Sequence, residues 1–465
     1  MLAFSSWEFA ATRDTSVPTP TLAQSLNSGP ASPQDATAKG AGSTVDVTGS
    51  AEARVLFDAA QVMLQQGEAR PALDMFQRAV DKDPSFAEAW MALGSAHVSL
   101  HDVDEGIDEM KRAIALNPKN PLYYKVLAVA LGGTGRLEEA LDGWFRLRQI
   151  TPDDPDAPKQ IVAILGAMGR FAEAIADLEL ITSRPGGAPY LVELAVAYSR
   201  VGQKDKATAT FEQAARLDSS VATLNTVAYS MIEEHLALDV ALSYGEQAVH
   251  KQENETTSIS LQQLTDDELG GMAELGGDWD TVGWTHFAMN HLEPAEKYLK
   301  AAWNLYESPT IGDHLAQIYE KEGKKQEAIK TYAQVVVQGN APEESMEHLT
   351  ALMGDARLAG SAVDEARANF GQLHNISVDY QTDDSARGAF YLLFRKGAGI
   401  VDVKFIKGSE SLRESGSAIR RAEFALLFPD DAATQIIRRG ILACHPGASH
   451  CELMLIPPDA VQSVQ

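Results

Sequence analysis

The sequence repeats itself about every 34 residues from Ala53 onward, and this period constrains the fold more than any other feature. The repeats begin at residues 53, 87, 121, 155, 188, 222, 276 and 309. A period of this length is typical of stacked helical hairpins, because each hairpin can bury its apolar face only against its neighbours. The sequence therefore predicts an α-solenoid of eight helix pairs between residues 53 and 342.

Small side chains recur where the two helices of a pair must approach each other. Position 20 of the repeat is small in all eight repeats, and position 8 is Ala or Gly in six of them. A larger side chain at these positions would push the helices apart. We therefore predict that position 20 is buried in every hairpin. Its residues are Ala72, Gly106, Ala140, Ala174, Ala207, Ala241, Ala295 and Ala328.

The turn inside each hairpin is also encoded. Position 15 holds Gly in five repeats and Asn in a sixth, at Gly67, Gly135, Gly169, Gly202, Gly323 and Asn290. Gly and Asn at a helix end adopt the left-handed conformation that closes the helix. The first helix of each pair is therefore predicted to end at this position.

This pattern resembles the tetratricopeptide repeat family over roughly residues 53–342. The second repeat carries the likeness most fully, with Trp90, Leu93, Gly94, Gly106, Met110, Ala113 and Pro118. The resemblance implies a mostly α fold, a right-handed α-solenoid of helical hairpins followed by a small C-terminal α+β domain. It also implies a non-enzymatic scaffold that binds other proteins.

In this family the first helices line a concave groove, into which positions 2, 5, 9 and 12 of each repeat face. The corresponding residues here include Phe57, Gln61, Met91, Val98, Lys125, Val129, Val192, Val196, Trp284 and Phe287. Apolar side chains at these positions imply an extended peptide or a partner helix as the ligand. The alternative, that many of them only pack between neighbouring repeats, stays open.

Composition and pattern divide the chain further. Residues 1–50 are rich in Ser, Thr, Pro, Gly and Ala, which predicts a disordered leader or linker. The rest of the chain is predicted to consist of repeats 1–6 at 51–255, an insertion at 256–275, repeats 7–8 at 276–342, capping helices at 343–387 and an α+β domain at 388–465. The insertion is predicted to form a loop or an extra helix that bulges from the solenoid. Insertions in solenoids often lie on a binding face, although a tolerated surface insertion is the simpler interpretation.

The C-terminal segment changes to a strand pattern, in which Val401, Val403 and Phe405 alternate with Asp402 and Lys404. We predict one helix near 409–422 and about five strands, in AFYLLFR, GIVDVKFIK, FALLF, TQIIRRGILAC and CELMLI. This domain resembles the C-terminal domains of bacterial TonB proteins. A strand exposed at the sheet edge near residues 451–456 would allow docking by strand addition.

The repeats and the tail together resemble the C-terminal half of larger bacterial proteins that carry a transglutaminase-like domain. No such domain is present here, so no catalytic residue is carried over. The resemblance implies an alternative function, a regulatory or substrate-positioning component of a bacterial cell-envelope enzyme system.

The chain has two cysteines, Cys444 and Cys451, which lie beside His445 and His450 in a predicted hairpin. Opposed strand residues bring two thiols within bonding range, which favours a disulfide. Two free thiols and a metal site formed with the two histidines are the alternatives.

Charge and missing motifs exclude other classes of function. The formal net charge of −26 disfavours nucleic acid as a partner, although a basic peptide remains compatible. No apolar run is long enough for a membrane span, and the first residues lack the pattern of a signal peptide. We find no catalytic or phosphate-binding motif, so we predict no enzyme activity and no cofactor. The compartment, periplasmic or cytoplasmic, stays open.

Overall fold

Helical hairpins account for most of the chain, and an antiparallel sheet follows them. The computed structural model describes residues 49–369, 375–422, 424, 426–429 and 434–456. The predicted leader at 1–50 lies outside this part of the chain except for Gly49 and Ser50. The mostly α architecture with a small C-terminal sheet agrees with the predicted fold class.

The described chain divides into two compact units between Ala207 and Thr208, inside a helix of the fifth hairpin. This division falls within the predicted run of repeats 1–6 and not at a boundary predicted from the sequence. In the first unit the helices are α1 Ala51–Gln65, α2 Ala69–Lys82, α3 Ala87–Ser99, α4 Val103–Leu116, α5 Pro121–Gly133, α6 Leu137–Ile150, α7 Asp156–Ala167, α8 Phe171–Thr182 and α9 Leu191–Arg200. The dividing helix is α10 Lys204–Leu217.

The second unit continues the hairpins and then adds the sheet. Its helices are α11 Val221–Glu233, α12 Leu238–Thr256, α13 Asp266–Ala288, α14 Leu292–Leu305, α15 Pro309–Lys321, α16 Lys325–Val337, α17 Glu343–Met353, α18 Ala356–Asn369 and the short α19 Gly416–Arg420. The strands are β1 Asn375–Val378, β2 Ala386–Arg395, β3 Gly399–Gly408, β4 Gln435–Cys444 and β5 Cys451–Ile456.

Small residues bring the helices of each hairpin together, as the repeat pattern predicts. All eight residues at position 20 are buried. The second hairpin shows the reason most directly, because a Cβ atom on Gly94 would lie 2.4 Å from the carbonyl oxygen of Gly106. Any side chain at Gly94 would therefore force α3 and α4 apart.

The turns within the hairpins adopt the predicted left-handed conformation. The five glycines at position 15 have φ values between 69° and 82°, and Asn290 has a φ of 63°. The second repeat has His101 at this position, and its backbone adopts the same conformation with a φ of 72°. A histidine there carries strain that glycine avoids.

The segment predicted as an insertion, residues 256–275, forms a short connection and a helical extension. A 3₁₀ turn spans Leu261–Gln263, and α13 then begins at Asp266, ten residues before the predicted start of repeat 7 at 276. The side chain of Thr265 accepts a hydrogen bond from the Glu268 amide, and the Glu268 carboxylate accepts one from the main-chain amide of Thr265, so a capping box fixes the start of α13.

The sheet has the strand order β1-β5-β4-β2-β3, with antiparallel pairing throughout. Strand β5 therefore lies between β1 and β4, and the predicted exposed edge near residues 451–456 is wrong. The edges of the sheet are β1 and β3.

Two further expectations for this domain also differ from the structure. The FALLF segment forms no strand in its described residues, and β1, which the sequence pattern missed, supplies the fifth strand. The sheet therefore begins before the predicted boundary at 388. The predicted helix near 409–422 is a 3₁₀ turn at Glu410–Leu412 followed by α19.

The connection before α13 packs against the sheet within the second unit. Buried Ile259, Leu261 and Met272 form one hydrophobic cluster with Leu393 and Ile437. A hydrogen bond between the hydroxyl groups of Thr256 and Thr434 joins the end of α12 to the start of β4. The break in the repeat period thus creates the surface that holds the sheet, a role that the predicted loop or extra helix did not include.

Candidate binding groove

The groove residues predicted in the first unit fall into two groups. Met91 and Val196 are 2% and 1% exposed, so they belong to the packed interior and not to an open groove. Phe57 is half-buried and packs against the rings of Phe76 and Phe86, at centroid distances of 5.5 Å and 5.2 Å. For these three residues the alternative of packing between helices describes the structure better.

The other predicted groove residues of this unit are half-buried. Lys125 forms an ion pair with Asp156 at 2.5 Å, so its charge is already compensated. Val98 packs against the backbone of Gly106 in its own hairpin. Gln61, Val129 and Val192 are half-buried on the first helices of repeats 1, 3 and 5.

The second unit presents the most coherent set of groove residues. Its first helices α11, α13 and α15 contact one another in that order. Half-buried Trp284 and Phe287 stack on α13 with ring centroids 4.7 Å apart. The indole of Trp284 also stacks on the His314 ring of α15, with centroids 4.0 Å apart and planes 9° from parallel. These rings form a continuous aromatic surface across two repeats.

Acidic side chains lie beside this aromatic surface. The His314 Nδ1 atom is 2.9 Å from Oδ1 of Asp280, and Trp284 Nε1 donates to Oε1 of Glu233 at 3.4 Å. Asp313 accepts hydrogen bonds from the Ser345 hydroxyl at 2.5 Å and from the Gln317 amide at 2.7 Å. We call Glu233, Asp280, Asp313 and His314 the acidic pocket.

The acidic pocket was not predicted, although acidic residues recur at groove positions of consecutive repeats in the sequence. Asp280 and Asp313 occupy position 5 in repeats 7 and 8, and Glu233 occupies position 12 in repeat 6. These are groove-facing positions, but the selection of candidates favoured apolar side chains. Charge at equivalent positions in consecutive repeats was the pattern that could have revealed the pocket.

The pocket holds more negative charge than its one imidazole can balance. Burial disfavours the charged form of His314, but the carboxylates of Asp280, Asp313 and Glu233 outweigh burial and raise the pKa of the imidazole. Burial raises the pKa of the Glu233 carboxyl, against the opposing effects of His314 and the Trp284 indole. Three carboxylates therefore share one cationic partner supplied by the chain.

A second group of polar residues extends the surface toward α17. Glu320 Oε2 lies 2.9 Å from Nδ1 of His348 and accepts a hydrogen bond from Tyr332 at 3.2 Å. The Lys321 ammonium lies over the Phe287 ring, 4.8 Å from its centroid. The aromatic surface is thus already used by a cation of the chain itself at its outer end.

One cluster in the first unit has the residue types of a metal site. Ligand atoms of His97, Glu105 and Glu109 lie within 4.8 Å of one another. The Nδ1 atom of His97 is 2.7 Å from Glu109 Oε2, so these two buried groups already pair across α3 and α4. The arrangement therefore stabilises the hairpin without an ion.

Cys444 and Cys451 are joined by a disulfide in the structure, with their Cα atoms 4.4 Å apart. Both residues are buried, at the end of β4 and the start of β5, whereas His445 and His450 are exposed. The histidines therefore do not share the buried environment of the two sulfur atoms.

Packed helical hairpins that recur every 34 residues or so define a helical-repeat protein of the interaction type. Family models described as tetratricopeptide repeat match residues 57–121, 94–155, 188–220 and 313–344. The chain therefore contains tetratricopeptide repeats, as its 34-residue period predicted. This fold is typically a non-catalytic interaction module.

Solved structures with similar folds include three repeat proteins. A MamA protein is 20% identical, with a TM-score of 0.33, over 37% of this chain and 93% of its own. YrrB, described as a TPR protein with an unusual peptide-binding site, is 21% identical, with a TM-score of 0.32, over 36% of this chain and 87% of its own. The first TPR of Spaghetti (RPAP3), bound to an HSP90 peptide, is 24% identical, with a TM-score of 0.25, over 26% of this chain and 98% of its own. No curated protein matches the sequence.

None of the helices in the described part of the chain is long and apolar enough to cross a membrane.

Proposed function

We propose that this protein is a non-enzymatic scaffold that binds a peptide or a partner helix in the groove lined by α11, α13 and α15. The observation that supports this function most strongly is the stack of Trp284 with Phe287 and His314. Large aromatic side chains that remain partly open to solvent supply much of the binding energy at protein interfaces. In contrast, Met91 and Val196, at positions 5 and 9 of two repeats of the first unit, are buried within it.

The groove is suited to a ligand that is apolar along part of its length. Trp284 and Phe287 occupy positions 9 and 12 of repeat 7, one turn apart on the same face of α13. A peptide or helix with one or two large apolar side chains could bury them against these rings. The partly buried acidic groups beside the rings would restrict which sequences bind.

Selection from a random dodecapeptide display library on the full chain tests this proposal. Selected peptides should lose at least tenfold in affinity when Trp284→Ala and Phe287→Ala are combined. The matched control is Tyr244→Ala, which removes a half-buried aromatic side chain from α12, the second helix of repeat 6. Circular dichroism should show that both variants keep their helical content.

An equal loss of affinity in the control and in the groove variant would contradict the proposal. So would a complete absence of selected peptides. Nothing in the described residues favours the alternative of a regulatory component of a cell-envelope enzyme system, which rests on sequence resemblance alone. The TonB-like character of the C-terminal domain likewise stays a sequence-based hypothesis.

A further inference from the structure

The acidic pocket has one imidazole and, among the described residues, no lysine or arginine partner of the kind that two other carboxylates of this chain have. Asp177 pairs with Arg148, and Glu296 pairs with Lys300 and Lys324. In the described part of the chain, no lysine or arginine lies within 4 Å of the carboxylates of Glu233, Asp280 or Asp313. Buried charge without a partner is costly, so such a pocket favours a cation from outside.

Glu233 is the least satisfied member of the pocket. Asp280 interacts with His314 at 2.9 Å, and Asp313 accepts two hydrogen bonds from side chains. Among the described residues, the one hydrogen bond of the Glu233 side chain is the long contact to the Trp284 indole, at 3.4 Å. Its carboxylate therefore keeps acceptor capacity that a guanidinium or ammonium group could use.

A buried hydroxyl on the same helix face is a separate sign of a missing partner. Ser230 is 1% exposed, and its Oγ atom has no hydrogen-bond partner in the described part of the chain. It precedes Glu233 by three residues on α11, so the two side chains point to the same side of the helix. An unsatisfied buried hydroxyl costs free energy that a bound donor would recover.

The aromatic surface provides the third element that a cationic side chain needs. The Trp284 indole is hydrogen-bonded to Glu233 and stacked on His314, so an aromatic face and a carboxylate lie side by side. Arginine and lysine bind best where a ring face and an acidic group act together. The chain already places a cation over a ring of this surface, at Lys321 and Phe287.

We propose that the ligand of this groove is a peptide segment with an arginine or lysine that binds Glu233 beside the Trp284 indole, flanked by apolar residues that cover Phe287. This inference rests on the proposed function, because it specifies the ligand of the same groove. Charge complementarity supports a cationic ligand, since three carboxylates surround one imidazole at this site.

Fluorescein-labelled dodecapeptide pools with one fixed central residue test the inference. The central residue is Arg, Lys, citrulline or norleucine, and the flanking positions are random mixtures rich in Leu and Phe. Citrulline keeps the shape of arginine without its charge. Fluorescence anisotropy with the full chain should show the Arg and Lys pools binding at least tenfold tighter than the citrulline pool.

Two matched variants separate local recognition from general electrostatic attraction. Glu233→Gln should remove most of the preference for Arg over citrulline. Glu246→Gln removes the same charge from an exposed position of α12 and should leave the preference unchanged. Equal effects of the two variants would overturn the inference, because attraction to the net charge of −26 would then explain the preference.

The remaining outcomes distinguish the inference from the proposed function. Pools that bind without preference for charge, and that lose affinity in the Trp284→Ala and Phe287→Ala variant, would overturn the inference and leave the proposed function intact. Pools that bind the Trp284→Ala and Phe287→Ala variant as tightly as the wild-type chain would overturn both the inference and the proposed function. Pools that do not bind at all would do the same.

Discussion

The guanidinium group of Arg438 donates a hydrogen bond to the main-chain carbonyl oxygen of Leu305, at 2.9 Å. The same group donates to the carbonyl oxygens of Asn304 and Ile456, and it lies 3.6 Å from the Glu307 carboxylate. Leu305 is the last residue of α14, where main-chain carbonyls have no partner within the helix. A buried arginine of the sheet thus caps the end of a repeat helix. Both the guanidinium group and the helix carbonyl oxygens gain hydrogen-bond partners in this way.

Arg438→Met tests this connection between β4 and α14. Methionine keeps much of the volume of arginine but leaves the carbonyl oxygens of α14 without their donor, so we expect a loss of about 2–4 kcal/mol of stability. Hydrogen exchange should accelerate in β4 and at the end of α14. Arg413→Met removes an exposed arginine of the same domain and should leave the stability nearly unchanged. Equal costs for the two variants would contradict a capping role for Arg438.

Leu261 is the second anchor of the sheet, because it is fully buried in the cluster formed by the connection and the sheet. Leu261→Ala should cost about 2–5 kcal/mol through lost burial and the cavity that remains. The predicted signature is faster hydrogen exchange in β2 and β4 with unchanged exchange in α1–α6. Leu358→Ala, at an exposed position of α18, is the matched control. Unchanged exchange in the sheet would show that the connection does not hold it.

The contrast between Ala140 and Leu261 shows what the sequence could and could not predict. Ala140 is small because its own hairpin requires it, and this requirement recurs every 34 residues, so a single chain reveals it eight times. Leu261 shares a buried cluster with Leu393 and Ile437, which lie far away along the chain and belong to no repeat. A contact of that kind leaves no local period to detect.

The missed strand and the over-predicted one have a similar cause. FALLF has the apolar composition of a strand, but the Leu427 amide donates to the side chain of Asn304 and its own side chain is exposed. Strand β1 has only four residues and forms through pairing with β5. Local propensity decides neither case, because strand formation depends on the partner available. For the same reason Met91 and Val196 were predicted in the groove, although neighbouring helices bury them.

His101 offers a test of the hairpin turns. Its φ of 72° is strained for any residue with a Cβ atom, and five other repeats have Gly at this position. His101→Gly should therefore stabilise the second hairpin by about 1 kcal/mol, measured from hydrogen exchange of α3 and α4. The same change at His250, inside α12, should destabilise its helix by about 1 kcal/mol. A destabilised second hairpin in His101→Gly would contradict the assigned turn.

The disulfide between Cys444 and Cys451 can be tested against free thiols and against a bound metal. Alkylation of the denatured chain should add no label without a reductant and two labels after reduction. Replacing both cysteines by alanine should cost about 2 kcal/mol, since the bond closes only a short loop. Labelling of both cysteines without a reductant would exclude the disulfide. Labelling that required removal of a metal ion by a chelator beforehand would indicate a bound metal.

Glu193 on α9 should make the stability of the first unit depend on pH. Its Oε2 atom is buried without a hydrogen-bond partner, and burial raises the pKa of the carboxyl from 4.5 to about 7. Because the folded pKa lies above the unfolded one, the folded state binds the proton more tightly. Its contribution to stability is full below pH 4.5 and is lost as the pH rises to about 7.

Glu193→Gln removes this titration, so the difference in unfolding free energy between variant and wild type should change with pH. We expect the variant to gain about 2–3 kcal/mol relative to wild type between pH 4.5 and pH 8, as the shift in the pKa requires. Urea unfolding of both proteins across this range measures the difference. Glu68→Gln, at an exposed position before α2, is the matched control. If the difference in unfolding free energy for Glu193→Gln did not change with pH, the carboxylate would be hydrated or paired in solution, and the raised pKa would be excluded.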